Sequence, residues 1–280
     1  MRRLIASIRN AAVRGFLTFA LVPGTLLLPI PCQGATKLLV TVVEESTMGP
    51  VKDLKATDLE VVDGKRVRAV ESVERASGLL DIALLVDASL VGEMVQPAAA
   101  NIIEQLGEKD QMSIVAFDSA ATLVQDFTSS QDLLLQSLSK IKYGNAPRIL
   151  DAVYATVDGA FENTGFRRVV ILITAGMEAG SRTSAQRLYQ VARKNEVTVY
   201  ALFVGGWRGM FREIAEQTGG AALNLQDLQK RSKSGPGELV FGLIQNQYIV
   251  SISGDSNLSD KAKIRMKRPG KYRVGYLELD

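Results

Sequence analysis

From Leu79 to Val86 the chain is almost continuously apolar, and it then turns abruptly polar at Asp87-Ala88-Ser89. A strand exposed on one side alternates polar and apolar residues; a near-continuous run of this length belongs to a strand buried on both faces of a parallel sheet. Such a strand needs helices over both faces and parallel neighbours reached by long crossovers. That requirement restricts the chain to an α/β architecture. Asp87 and Ser89 fall at the strand's carboxyl end, the edge where open α/β sheets bind ligands.

The flanking sequence supplies the remaining layers over about residues 77–229. Met112–Phe117 and Thr122–Phe127 read as strands joined by the short turn Asp118-Ser119-Ala120, so this pair is antiparallel. Arg168–Thr174 and Val197–Val204 are further strands, the second ending at Gly205-Gly206. Pro97 suits the first turn of a helix running to Leu106. Leu134, Leu138 and Ile141 mark a second helix, and Leu150, Val153, Tyr154, Val157 and Phe161 a third. Phe211, Ile214 and Ala215 mark another, stopped at Gly219-Gly220. The expected fold is doubly wound α/β, a mostly parallel sheet with one antiparallel edge strand and right-handed crossovers.

Both ends of the chain add β structure. In residues 35–76, Lys37–Val43 is a β-branched strand and Asp58–Val73 reads as a hairpin with a type I′ turn at Asp63-Gly64. Residues 230–237, Lys-Arg-Ser-Lys-Ser-Gly-Pro-Gly, read as a solvated linker. In 238–280 a helix over Glu238–Gln247 precedes strands at Gln247–Ser253, Lys261–Lys267 and Tyr272–Glu278. In the second of these, basic residues alternate with Ala262, Ile264 and Met266, which places the charges on an outer face. Together these strands are expected to form one small β module.

Composition excludes much chemistry. The 280 residues contain no histidine and a single cysteine, Cys32, which removes histidine triads, histidine bases and zinc sites. No paired-carboxylate, nucleophile or phosphate-loop motif is present, so an enzyme is the least expected reading. Arg2, Arg3, Arg9 and Arg14 precede the apolar segment Phe16–Ile30, with small residues at Gly34-Ala35. This is the pattern of an export signal over residues 1–34, and prolines 23 and 29 argue against a membrane span. Its removal would leave 29 basic and 30 acidic side chains. Without a net positive charge, nucleic acid is not an expected partner. The mature chain is expected in the periplasm or outside the cell, with no integral membrane segment and no cysteine.

Several motifs in order carry a resemblance: Asp53–Glu60 with Asp63-Gly64-Lys65, Ile82–Ser89, Ser113–Asp118, Leu150–Val153, Val169–Thr174 and Gln247-Tyr248-Ile249. From about Lys37 onward the chain resembles von Willebrand factor type A (VWA) domains, and more narrowly the exported "VWFA-related" proteins typical of Acidobacteria. The resemblance implies a metal-ion-dependent adhesion site built on Asp-x-Ser-x-Ser, a threonine from a second loop and an aspartate from a third, with Mg²⁺ completed by a partner's carboxylate. Asp87 and Ser89 match that pattern. The second serine falls on Val91, the threonine on Pro147 and the third-loop aspartate on Ala175. None of these three side chains carries an oxygen.

The expectation is therefore a degenerate site with no cofactor, Asp87 and Ser89 persisting as groups that bond local amides. Binding of an unidentified protein or envelope component would then be metal-independent, through loops on a rigid scaffold. The alternative is a Mg²⁺- or Mn²⁺-dependent adhesion module rebuilt around Asp87 and Ser89, recruiting Asp118, Asp151 or Glu178. Trp207, the only tryptophan, is either a packed core aromatic or a binding hot spot.

Overall fold

Strand β5 lies at the centre of the molecule because every one of its residues is buried. A computed structural model describes residues 35–161, 165–205, 208–254, 258–259 and 262–279. The expected export signal, Cys32 and Trp207 lie outside these residues. In chain order the first elements are β1 (Ala35–Glu44), β2 (Leu59–Asp63), β3 (Arg66–Arg68), β4 (Val70–Arg75), β5 (Leu80–Asp87) and helix α1 (Gln96–Ile103). Next come β6 (Gln111–Phe117), β7 (Ala121–Thr128), α2 (Gln131–Leu138), α3 (Ile149–Gly159), β8 (Arg167–Thr174), α4 (Ala185–Lys194) and β9 (Val197–Phe203). The chain ends with α5 (Arg208–Gln217), β10 (Ala222–Asn224), α6 (Leu225–Arg231), α7 (Pro236–Gln245), β11 (Tyr248–Ser253), β12 (Lys263–Met266) and β13 (Tyr272–Leu279).

The central sheet has the order β10-β9-β8-β5-β6-β7, parallel throughout except for β7, which runs antiparallel to β6 at the edge. Alternation along β5 feeds two cores. Ile82, Leu84 and Val86 pack with α1, α2 and α7 on one face. Ala83 and Leu85 pack with α3, α4 and α5 on the other. At about 1.5–3 kcal/mol for each large apolar side chain fully buried, these two layers dominate the fold's stability.

Two antiparallel sheets bring the chain ends together, in the orders β13-β1-β11-β4 and β12-β2-β3. Leu38, Val40, Val250 and Ile252 share a core with Leu59, Val61 and Ile264. On β12, Lys263 and Arg265 are exposed and Ile264 is buried, so the alternation does set the faces. Thr41 on β1 and Gln247 ahead of β11 are buried and reach the central sheet through Tyr200 and Arg167.

Several local expectations change. The β2–β3 turn places Gly64 and Lys65 between partners Asp63 and Arg66, and of these two only Gly64 has positive φ, +62°. Positive φ confined to the first central residue is the requirement of a II′ turn rather than I′. Val70 onward leaves the hairpin to pair with β11. Helix α1 stops at Ile103, three residues before Leu106. Helix α3 buries Ile149, Ala152, Val153, Thr156 and Val157, while Leu150 and Tyr154 are only half-buried. The stripe is turned because Thr156 folds its hydroxyl back onto the Ala152 carbonyl (2.9 Å) and so can face inward. Helix α6 extends over Lys230 and Arg231, and Pro236 opens α7, so the connector between them is only residues 232–235. Among the described residues no helix is long and apolar enough to cross a membrane.

Candidate functional site

Three loops meet at the carboxyl end of the central sheet: that after β5, the segment 143–148 before α3, and that after β8. Asp87, the last residue of β5, is fully buried there. Its Oδ1 accepts from the Ser89 amide at 2.8 Å. Its Oδ2 accepts from the Thr174 hydroxyl at 2.6 Å, the Ala175 amide at 3.1 Å and the Gly176 amide at 2.9 Å. The parallel pairing of β5 with β8 puts these donors in place. The sequence marks Thr174 as a strand end and as the threonine before Ala175 in the resemblance, with no role for its side chain; its hydroxyl makes the shortest hydrogen bond to Asp87.

Ser89, Pro147 and Ala175, which the expected adhesion pattern assigned to ligand positions, lie beside this carboxylate. Ser89 is 2% exposed and its Oγ makes no hydrogen bond among the described residues. Val91 is exposed, Ala175 half-buried and Pro147 buried. A Cβ on Gly176 would lie 2.6 Å from Pro147 Cγ and 3.0 Å from Asp87 Oδ2, so the proline ring presses on the backbone beside the carboxylate. The Pro147 carbonyl also accepts from the Ala179 amide at 3.0 Å.

The other nominated carboxylates are engaged elsewhere. Asp118 closes its own turn, accepting from the Ala120 amide at 3.1 Å and Ser119 Oγ at 3.2 Å, and it holds Asn145 Nδ2 at 2.7 Å. Burial alone would raise its pKa, but the bonds from Asn145, Ala120 and Ser119 outweigh it and hold the carboxyl below the ordinary range. Asp151 and Glu178 form a reciprocal clasp. Glu178 accepts from the Leu150 amide at 3.0 Å and the Ser181 amide at 2.7 Å, capping α3. Asp151 accepts from the Arg182 and Thr183 amides, at 3.0 and 2.8 Å. Burial again pushes its carboxyl up, and the two amides bring it below its usual value.

Sequence reasoning passed over two further residues. Asn145 adopts a positive φ of 43° and ties its loop to Asp118; an asparagine two residues before a proline is the one signal that could have found it. Tyr143 sets its ring beside Gly92 of the first loop, and its buried hydroxyl has no hydrogen-bond partner among the described residues. Burial raises its pKa, and the nearby Glu93 and Asp87 carboxylates add to the shift. Among the described residues no group of three or more acidic or cysteine side chains is arranged to hold a metal ion.

The sequence model of the von Willebrand factor type A domain matches residues 81–233. Comparison with curated proteins by sequence finds no match. Among solved structures, a von Willebrand factor type A protein from Catenulispora acidiphila is similar over 89% of this chain and 74% of its own, with 12% identity and a TM-score of 0.51. Proximal thread matrix protein 1 from the mussel byssus, solved with a zinc-occupied adhesion motif, is similar over 68% of this chain, with 18% identity and a TM-score of 0.51. This chain spans half the length of that mussel protein. At such identities the structures speak for the fold alone, but the family match covers more than half of the sequence. The chain belongs to the von Willebrand factor type A domain family.

Proposed function

We propose that this chain is an exported protein-binding module whose recognition face works without a metal ion. The observation that carries this reading is the engagement of Asp87, whose Oδ2 already accepts three hydrogen bonds and whose Oδ1 accepts one. Mg²⁺ demands near-octahedral oxygen ligands, and at Oδ2 it would have to displace those donors. Val91, Pro147 and Ala175 offer it no side-chain oxygen, and Asp118, Asp151 and Glu178 are committed to other amides and to Asn145. The residues around Asp87 do not fit a divalent ion.

In place of an ion, two of the three loops that meet at Asp87 present apolar side chains. Leu90, Val91 and Met94 are 79%, 44% and 65% exposed on the first loop, and Met177 is 65% exposed on the third. Half of the large apolar side chains exposed among the described residues lie on these two loops. Exposed apolar surface of this kind marks interaction sites, and methionine adapts to irregular partners. The partner is a protein or envelope component that buries apolar surface. Export rests on the arginine-flanked apolar segment at residues 2–30.

The test is thermal unfolding of the purified full chain and of Ser89→Ala, each in EDTA and in about 10 mM Mg²⁺ or Mn²⁺; a ligand at a hundredfold excess over Kd would add about 2.7 kcal/mol. The melting temperature is expected to be the same in all three solutions. Ser89→Ala is expected to gain about 1 kcal/mol, because it deletes a buried hydroxyl with no partner. A metal-dependent rise that Ser89→Ala abolishes would instead establish a metal-dependent adhesion module rebuilt around Asp87 and Ser89.

A further inference from the structure

The face of the sheet covered by α3 holds a cavity of about 520 Å³, near the amino ends of β5 and β6 and away from the loops around Asp87. Its floor contains two polar side chains with a buried atom that the fold leaves without a hydrogen bond. Asp81 is 2% exposed and Ser113 is 1% exposed. Neither Asp81 Oδ1 nor Ser113 Oγ makes a hydrogen bond among the described residues. Ser113 pairs in register with Ala83, so the two groups lie on neighbouring strands one diagonal step apart. Val115 on β6 and Leu123 and Phe127 on β7 give apolar walls, and the exposed carboxylate of Asp126 also lines the cavity. The small residues Ala155, Gly159 and Ala160 of α3 and its end leave the cavity open.

A buried carboxylate oxygen without a hydrogen bond is costly, and native structures rarely leave one so. Burial pushes the Asp81 carboxyl above its ordinary value, with Arg168 only partly opposing the shift. The fold accordingly retains a group whose charged form it does not stabilise. The volume is that of a small-molecule site, and convergent polar groups set beside apolar side chains are how such sites fix a ligand. An acid and a hydroxyl, both able to accept, select a ligand rich in donors. A primary ammonium carries three donors and no acceptor.

We propose that this cavity binds a small organic cation, its ammonium head held by Asp81 and Ser113 and its apolar body lying against Val115, Leu123 and Phe127. Such a site is separate from the recognition loops and independent of the function proposed for them. Neutral molecules of the same shape would fill the cavity yet leave Asp81 uncompensated, so charge sets the preference.

The experiment is calorimetric titration of the purified full chain with benzylammonium, using benzyl alcohol as the uncharged analogue. Two variants separate charge from shape. Asp81→Asn keeps the volume and removes the charge; Ala155→Trp fills the mouth and leaves Asp81 untouched. Saturable benzylammonium binding is expected, weakened about tenfold or more by Asp81→Asn and lost in Ala155→Trp, with benzyl alcohol weaker than the cation. Asp81→Asn is expected to melt no lower than the parent chain, since it relieves a buried unpaired acid, so loss of binding there would not reflect unfolding. No saturable binding to the parent chain, equal affinity in Asp81→Asn, or benzyl alcohol binding as well as the cation would each overturn the proposal.

Discussion

Asp87→Ala is expected to cost about 3–5 kcal/mol of folding stability in metal-free buffer, with each unsatisfied buried group worth about 1–3 kcal/mol. The carboxylate is fully buried and gathers the Thr174 hydroxyl and the amides of Ser89, Ala175 and Gly176. Alanine leaves all four donors without their acceptor. The total falls below the sum of four because Thr174 can turn and water can enter the small cavity left behind. Asp87→Asn should cost about half as much, since one oxygen remains while the new NH₂ meets donors. Urea unfolding reads both: the midpoint should fall at constant slope if the denatured state is unaffected. A group kept chiefly to ligate a metal would behave differently. Its removal would relieve repulsion in EDTA and change stability by less than about 1 kcal/mol, and that result would contradict the structural role given to Asp87 here.

The layered part of the fold was readable because its signal is local. A near-continuous apolar run such as Leu79–Val86 has few structural solutions, and β5 takes the expected one. Helix α4 was not foreseen, although two parallel strands on either side required a crossover. Its core contribution is only Leu188, Val191 and Ala192, set among charged residues in ten positions. The face of α3 was set by Thr156 hiding its hydroxyl within the helix, which a reading of apolar spacing does not register. The two ends of the central sheet were legible to different degrees. Asp87 and Ser89 stand out because a strand stops there. The Glu178–Leu150 and Asp151–Thr183 bonds join residues 28 and 32 positions apart, and nothing in either segment names the other. Asp81 was hidden by its surroundings: a single acid inside an apolar strand reads as part of the run until its missing partner is seen.

Gln247→Leu is expected to destabilise the fold by about 3–5 kcal/mol, the scale of breaking a buried charged network by removing one partner. Gln247 is fully buried where the terminal β module meets the central sheet. Its Nε2 donates to Thr41 Oγ1 at 3.0 Å and to the Gly219 carbonyl at 3.2 Å, and its Oε1 accepts from Arg167. Thr41 also donates to Gly219 at 2.6 Å and touches the Tyr200 hydroxyl at 3.1 Å. Leucine matches the bulk but leaves the Arg167 cation with the Ile244 carbonyl, at 2.8 Å, as its remaining acceptor in this network. Burial already pulls Arg167 below its usual pKa, so losing an acceptor falls on a group the interior barely tolerates. In a double-mutant cycle with Thr41→Val, the coupling should be about 1–3 kcal/mol, the range for residues sharing one network. Hydrogen exchange gives the spatial readout: amides of β1 and β11 should lose protection before those of β5 and β8, because the severed bonds are those that hold the two sets of strands together. Uniform loss of protection across all four strands, or a cost under about 1 kcal/mol, would mean that apolar packing rather than this polar network joins the chain ends to the central sheet.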